Sequence, residues 1–516
     1  MPALTLTGRS LAIADVVRVG RGPHFTLALD RDALGRLGDS RALVERAIGR
    51  GDAIYGINTG FGKLANVRIA PDQLDQLQIN LIRSHSAGVG ALLPADVVRA
   101  AMLLRANVLL RPTSGVRPVL VEALVALLNA GIVPAVPEQG SVGASGDLAP
   151  LSHIAMVLIG EGEVLDPEAP PGSFATRPAA AALAEAKLTP FRFAPKEGIS
   201  FINGTQAQTA MLALMVHDAE VLWRTAVAAA AMSLEALRGT PTPLDPRIHE
   251  ARPHPGQVRS AALMRTLLEA SEIRESHREN DERVQDAYSL RCTPQVLGAV
   301  ADAVRFARET AAIELNASTD NPLAFDTGEV LSGGNFHGQP IAQALDFLAV
   351  ALTTLQAIAE RRVERLVNPD LSQGLPAFLT SDPGLSSGFM MVQITAASLV
   401  AESRALAMPA SIGSIPTDAN QEDFVPMGMA SAMKARRILA NAQKVVAAEL
   451  LCGAQGLEFL RPLRAGRGVE ALHAVIRSAP DGVPPLGADR PPAPDLARMA
   501  RLVERGALDP SPGLPC

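Results

Sequence analysis

Residues 140–153 read Gly140-Ser141-Val142-Gly143-Ala144-Ser145-Gly146-Asp147-Leu148-Ala149-Pro150-Leu151-Ser152-His153, and small side chains dominate the first half. With a compressed backbone, Ala144-Ser145-Gly146 can close on itself. The Gly146 amide nitrogen attacks the Ala144 carbonyl carbon, and loss of water from the ring and from Ser145 leaves an exocyclic methylene. Such a product is an electrophile. Each residue type has a reason to be there. Glycine lets its nitrogen approach without a Cβ clash and tolerates strained dihedrals; serine carries the hydroxyl to be eliminated, and alanine leaves its carbonyl unhindered. The plainer alternative is a turn in which Ser145 or Asp147 caps a helix starting near Pro150. A tripeptide alone does not decide between them; the rest of the chain must.

At 516 residues and 48% hydrophobic side chains, the chain has ample material for a large core. Aromatic residues make up only 3% while Ala and Leu abound, which favours packed helices over a sandwich or barrel. The expected fold is mostly α: a central bundle of long helices, with a smaller mixed, loop-rich N-terminal region carrying the tripeptide. A net charge of −6 with scattered Lys and Arg lacks the basic stripe of a nucleic-acid binder. The three cysteines, Cys292, Cys452 and Cys516, fit neither a disulfide framework nor a zinc site, so the expected setting is a reducing cytoplasm with no metal. Residues 1–15 are interrupted by Arg9 and polar groups and do not form a signal-type apolar core. The uncharged segment Pro383–Ala401 carries Ser386, Ser387, Gln393, Thr395 and Ser398, so it reads as a buried helix and not a membrane span.

Along the chain, helical periods run over 32–50, 72–84 and 94–110, with Pro112 as a stop. Asp166-Pro167 and Pro170-Pro171-Gly172 mark a surface excursion. Longer helices are predicted over 294–314, 339–366, 389–406 and 430–460; in the second, Leu345, Leu348, Leu352 and Leu355 form a bundle stripe. The implied division is an N-terminal domain at 1–200, a long-helix bundle at 201–475 and a proline-rich appendage at 476–516.

Only two tyrosines occur, Tyr55 and Tyr288. Both sit in polar loops: Tyr55-Gly56-Ile57-Asn58-Thr59-Gly60-Phe61-Gly62 and Gln285-Asp286-Ala287-Tyr288-Ser289-Leu290-Arg291. Tyrosine serves as a base only if its pKa, ordinarily about 10, is brought down by nearby positive charge or dipoles. Three amide-rich knots adjoin long helices: Phe201-Ile202-Asn203-Gly204-Thr205-Gln206, Ser332-Gly333-Gly334-Asn335-Phe336-His337 and Thr417-Asp418-Ala419-Asn420-Gln421-Glu422-Asp423-Phe424. Amides there offer paired donors and acceptors, and Arg291 offers a fork for a carboxylate. Singly, each knot is a plausible helix cap. Together they supply what an electrophile at 144–146 would need.

These motifs, in this order from Tyr55 to about Gly456, resemble the aromatic amino acid ammonia-lyase family, and most closely its histidine-specific members. The resemblance implies a 4-methylideneimidazol-5-one group formed autocatalytically from Ala144, Ser145 and Gly146. It also implies a homotetramer acting on a small amino acid, with active sites drawn from several subunits. It assigns Tyr55 as the base at the β-carbon and Arg291 as the carboxylate clamp. Asn203, Gln285, Tyr288 and Phe336 would hold the prosthetic group and the substrate. Ser84-His85 and Glu422 match the histidine-specific pattern, because an imidazole and a carboxylate opposite a phenyl ring would be left unpaired. The expected reaction is loss of ammonia from L-histidine to give urocanate. A tyrosine or phenylalanine lyase, or an aminomutase using the same group, is the alternative. Departures from the family pattern are Ala287 in place of proline, Arg111-Pro112 before Thr113-Ser114-Gly115, Gly413 where aspartate is common, and Phe424-Val425-Pro426-Met427 after the last knot.

Overall fold

A computed structural model describes residues 3–23, 25–50, 54–170, 174–279, 281, 283–478 and 481–513. Cys516, Pro171, Gly172, Ala479 and Pro480 lie outside the described residues. Among the described residues the chain forms nineteen α-helices and eight short strands, the strands paired only two by two. The mostly α fold read from the scarcity of aromatics is therefore what the chain adopts.

Two compact units emerge. The first comprises 1–217, 308–346 and 409–433, and the second 218–307, 347–408 and 434–516. These units are discontinuous, whereas the sequence division at 200/201 and 475/476 is contiguous. The two differ because chain order does not reveal which later loops return to an earlier core. Four long helices, Gln206–Ala236, Thr293–Glu314, Gln339–Val367 and Gly428–Glu458, carry residues assigned to both units.

In the first unit, three helices pack against one another: Leu74–His85, Leu148–Leu158 and Glu197–Ile202. Each ends or begins at a residue singled out above. The first ends at His85, the second starts just after Gly146, and the third delivers Asn203. Their apolar residues explain the packing: Leu81, Ile82, Leu151, Ile154, Ile199 and Ile202 are all buried, each burial worth roughly 1.5–3 kcal/mol. A short antiparallel ladder pairs Val89–Leu92 with Pro137–Gln139, tying the segment after His85 to the one before the tripeptide. Helix Ala95–Leu109 forms the centre of this unit, buried without interruption from Ala100 to Leu109. Pro94 lies just outside it as N-cap.

The helix Gln339–Val367 is long and apolar enough to cross a membrane by length and composition. It is a core helix: Leu345, Leu348, Leu352 and Leu355 are fully buried, and so are Asp346, Gln356 and Arg362 on the same helix. The uncharged segment at 383–401 contributes to a shorter helix, Met390–Leu406.

Candidate active site

Ala144 and Ser145 occupy the centre of a tight turn closed by pairing of Gly143 with Gly146. Gly143 has φ +76° and Gly146 +74°, angles at which an L side chain is strained. Space adds a second constraint at Gly146, because a Cβ there would collide with the Gly204 backbone. Gly146 pairs with Gly204, and the Asp147 amide donates to the Gly204 carbonyl at 2.7 Å. Asp147 stands at the N-cap of Leu148–Leu158 but its side chain makes no cap hydrogen bond to that helix. Its buried carboxylate instead accepts from the Gln208 amide (2.9 Å), Gln208 Nε2 (3.2 Å) and Ser141 Oγ (3.2 Å). Burial pushes its pKa up to about 7 against those hydrogen bonds. The capped-loop alternative is thus replaced by a loop held from behind.

Helix N-termini surround this turn. Leu148–Leu158 starts beside it, Gln208 near the start of Gln206–Ala236 donates to Asp147, and the Gly338 amide before Gln339–Val367 donates to the Gly143 carbonyl at 3.1 Å. The Gly428 nitrogen, opening Gly428–Glu458, lies close enough to restrict Gly143. Each such end carries partial positive charge, so positive potential gathers on 143–147 from several directions.

The side chains named in the sequence converge here. Asn203 Nδ2 donates to the Ser145 carbonyl at 2.7 Å, while its Oδ1 is buried without a partner. Ser145 Oγ donates to Glu422 Oε1 at 2.5 Å. The other Glu422 oxygen accepts from Thr417 Oγ1 at 2.6 Å, which fixes the carboxylate over the turn.

A cavity of about 1000 Å³ opens in front of Ser145. Its lining includes Tyr55, His85, Asn203, Phe336, Asp418 and Glu422. Tyr55 Oη accepts from the Gly62 amide at 3.3 Å, and its ring meets Phe61 edge to face at 6.4 Å. Burial raises the Tyr55 pKa, and the carboxylates of Asp418 and Glu422 push the same way against the Gly62 amide. His85 Nδ1 lies 2.9 Å from the Leu81 carbonyl; that carbonyl can only accept, so the proton is on Nδ1 and Nε2 is an acceptor. Burial lowers the His85 pKa, keeping the ring neutral. His337 Nε2 bonds the Phe424 carbonyl at 3.1 Å and the two rings stack, so Phe424, one of the departures, is part of the wall.

Gln285, Tyr288 and Arg291 are placed elsewhere, in the second unit, and are not among the residues lining this cavity. Tyr288 opens a short helix, Tyr288–Arg291, instead of lying in a loop. Asp418 went without a role in the sequence. It accepts from the Lys63 amide at 3.0 Å, and its carboxylate fills the space a Cβ on Gly62 would need, so it holds the turn that supports Tyr55. It lies inside the last amide-rich knot, where Glu422 alone received a role. Arg105 also went unnoticed, although it is the one charge between Ala100 and Leu110. No cluster of metal-ligating side chains occurs among the described residues.

The sequence matches the family described as aromatic amino acid lyase over residues 11–478. Histidine ammonia-lyase of Anaeromyxobacter dehalogenans is 51% identical over 514 residues, covering 99% of this chain and 100% of that protein. Among solved structures, histidine ammonia-lyase from Trypanosoma cruzi superposes with a TM-score of 0.90 at 41% identity, over 98% of this chain and 94% of that one. Tyrosine aminomutase from Streptomyces globisporus superposes with a TM-score of 0.92 at 39% identity, over 98% of each chain.

Proposed function

The chain belongs to the aromatic amino acid lyase family, and from that premise we propose that it eliminates ammonia from L-histidine to give urocanate. It is a carbon–nitrogen lyase. The observation that carries the substrate is the pairing of an imidazole with a carboxylate in one cavity: His85 presents Nε2 as an acceptor, and Glu422 stands across the tripeptide. An imidazolium side chain, which donates from both ring nitrogens, uses both; a phenol has one donor and a phenyl ring none, so either would strand at least one acceptor, at about 1–3 kcal/mol.

The tripeptide fits the 4-methylideneimidazol-5-one group. Its turn is tight, Gly146 admits no Cβ, and Asn203 anchors the Ser145 carbonyl. That group would supply an electrophile against which ammonia becomes a feasible leaving group.

The chain's own residues supply the rest. Within this chain burial and the nearby carboxylates raise the Tyr55 pKa, so Tyr55 serves as the base at the β-carbon once positive charge from outside this chain lowers it, with the Gly62 amide steadying its oxygen. His85 Nε2 accepts from the imidazole ring of the substrate. Glu422 Oε1, engaged by the Ser145 hydroxyl in the encoded chain, becomes available once that hydroxyl has gone. Asn203 Oδ1 accepts from the substrate amine. Gln285, Tyr288 and Arg291 complete the site from other subunits of a homotetramer, with Arg291 clamping the carboxylate. Cys292 and Cys452 are free thiols, in keeping with a cytoplasmic enzyme.

The test is to offer L-histidine, L-tyrosine and L-phenylalanine separately and follow the conjugated acid by ultraviolet absorbance. Urocanate from histidine, with little product from the others, is expected. No urocanate, or a β-amino acid from tyrosine, overturns the assignment.

A further inference from the structure

Arg105 is fully buried in helix Ala95–Leu109. A buried guanidinium demands strong acceptors, and its partners are unusual. Nη1 donates to the Asn203 carbonyl at 3.1 Å and to Gln206 Oε1 at 2.5 Å. Nη2 donates to the Ser200 carbonyl. Two of the three are main-chain carbonyls at the C-terminal end of Glu197–Ile202, where partial negative charge gathers. No carboxylate is in hydrogen-bond contact with it among the described residues; the Asp320 carboxylate favours its charge through space.

The stacking behind the tripeptide is closer still. A Cβ on Gly204 would collide with Arg105 Nη1, and a Cβ on Gly146 would collide with the Gly204 backbone. Guanidinium, Gly204 and Gly146 are therefore pressed together in series, while the same guanidinium fixes the peptide carrying Asn203, whose carboxamide holds the Ser145 carbonyl. Burial draws the Arg105 pKa down only to about 10, so the cation persists at neutral pH.

We propose that Arg105 is a positioning residue for maturation of the tripeptide, holding Gly204 against Gly146 and Asn203 against Ser145 so that the Gly146 nitrogen stays in reach of the Ala144 carbonyl. This rests on the reading that residues 144–146 cyclise. In that step the Gly146 nitrogen bonds the Ala144 carbonyl carbon and the former carbonyl oxygen leaves as water. Ser145 then loses its α-proton and hydroxyl as a second water. No oxidant or reductant is needed.

The experiment measures the intact mass of the full chain in wild type, Arg105→Gln, Arg105→Lys and Arg224→Gln. The last breaks a buried pair with Asp509 in the second unit and controls for destabilisation alone. The expected result is a deficit of two waters in wild type and in Arg224→Gln, its loss in most Arg105→Gln chains that retain wild-type helicity, and slowed, partial processing in Arg105→Lys, whose single nitrogen cannot span three acceptors. Should Arg105→Gln fail to fold, the processing rate of Arg105→Lys decides. Complete processing at the wild-type rate in either folded Arg105 variant overturns the proposal, as does an equal loss in Arg224→Gln. A wild-type chain at its encoded mass overturns the prosthetic-group reading and this proposal with it.

Discussion

The two tyrosines stand in opposite conditions. Tyr55 is half-buried in the first unit, its oxygen on the Gly62 amide, inside a cavity that the same unit lines with His85, Asn203 and Glu422. Tyr288, in the second unit, is 71% exposed, and its ring carries the Arg291 guanidinium 4.5 Å from its centroid. Arg291 Nε is buried without a partner. A stacked guanidinium keeps its N–H edge free for a carboxylate. The first tyrosine is held by groups already assembled around it; the second stands exposed with an arginine stacked on its ring. On the proposed reading, the second tyrosine and its arginine serve a site on another subunit.

The strongest way to break this comparison is to disable each side. Tyr55→Phe removes the base and should lower kcat by roughly 10²–10⁴-fold, whereas Tyr288→Phe removes one hydrogen-bonding group and should cost about tenfold. Coexpression of Tyr55→Phe with Arg291→Met should then restore activity that neither homogeneous variant has, since some mixed sites receive both intact residues. No recovery in purified mixed tetramers would place both residues in one chain's site. A middling effect is expected at His85: His85→Leu should cut kcat/KM for histidine by roughly 10–100-fold with the two-water mass deficit unchanged. An unchanged rate would mean His85 does not read the side chain.

The smallest effect tests how firmly the first region is built. His153 Nε2 accepts from the Gly88 amide at 3.1 Å, just beyond His85, and burial lowers its pKa below the ordinary 6.5. A histidine whose folded pKa is depressed binds fewer protons folded than unfolded, so its contribution is complete above pH 6.5 and is lost as pH falls through the lowered value. Thermal melts should show Tm falling over that window, and His153→Gln should flatten the slope. An unaltered slope would assign the pH dependence to other groups.

Much of the site was legible because its chemistry needs rare residue types in rare places. Two tyrosines, an Ala-Ser-Gly run and amide knots beside long helices cannot all be packing accidents, and Tyr55, Asn203 and Glu422 do meet at Ser145. Helix extents were legible for the usual reason of period: 339–366 was expected and Gln339–Val367 is found. What sequence could not convey was who stands behind whom. Thr417 fixing Glu422, Asp418 gripping Lys63 and Arg105 bracing Gly204 depend on partners 5, 355 and about a hundred positions apart, with no periodic signal. The discontinuous units escaped for the same reason.

That discontinuity has a temporal side. Ser145 and Glu422 are 277 residues apart in the chain, and synthesis proceeds at about 5–20 residues per second, so the loop exists for on the order of 15–55 s before its glutamate has been made. Arg105, Asn203 and Gly204 emerge much sooner. The nascent protein thus gains the brace behind the tripeptide early and the acidic lining in front of it late, and a ribosome that stalls between the two leaves a loop gripped from one side only.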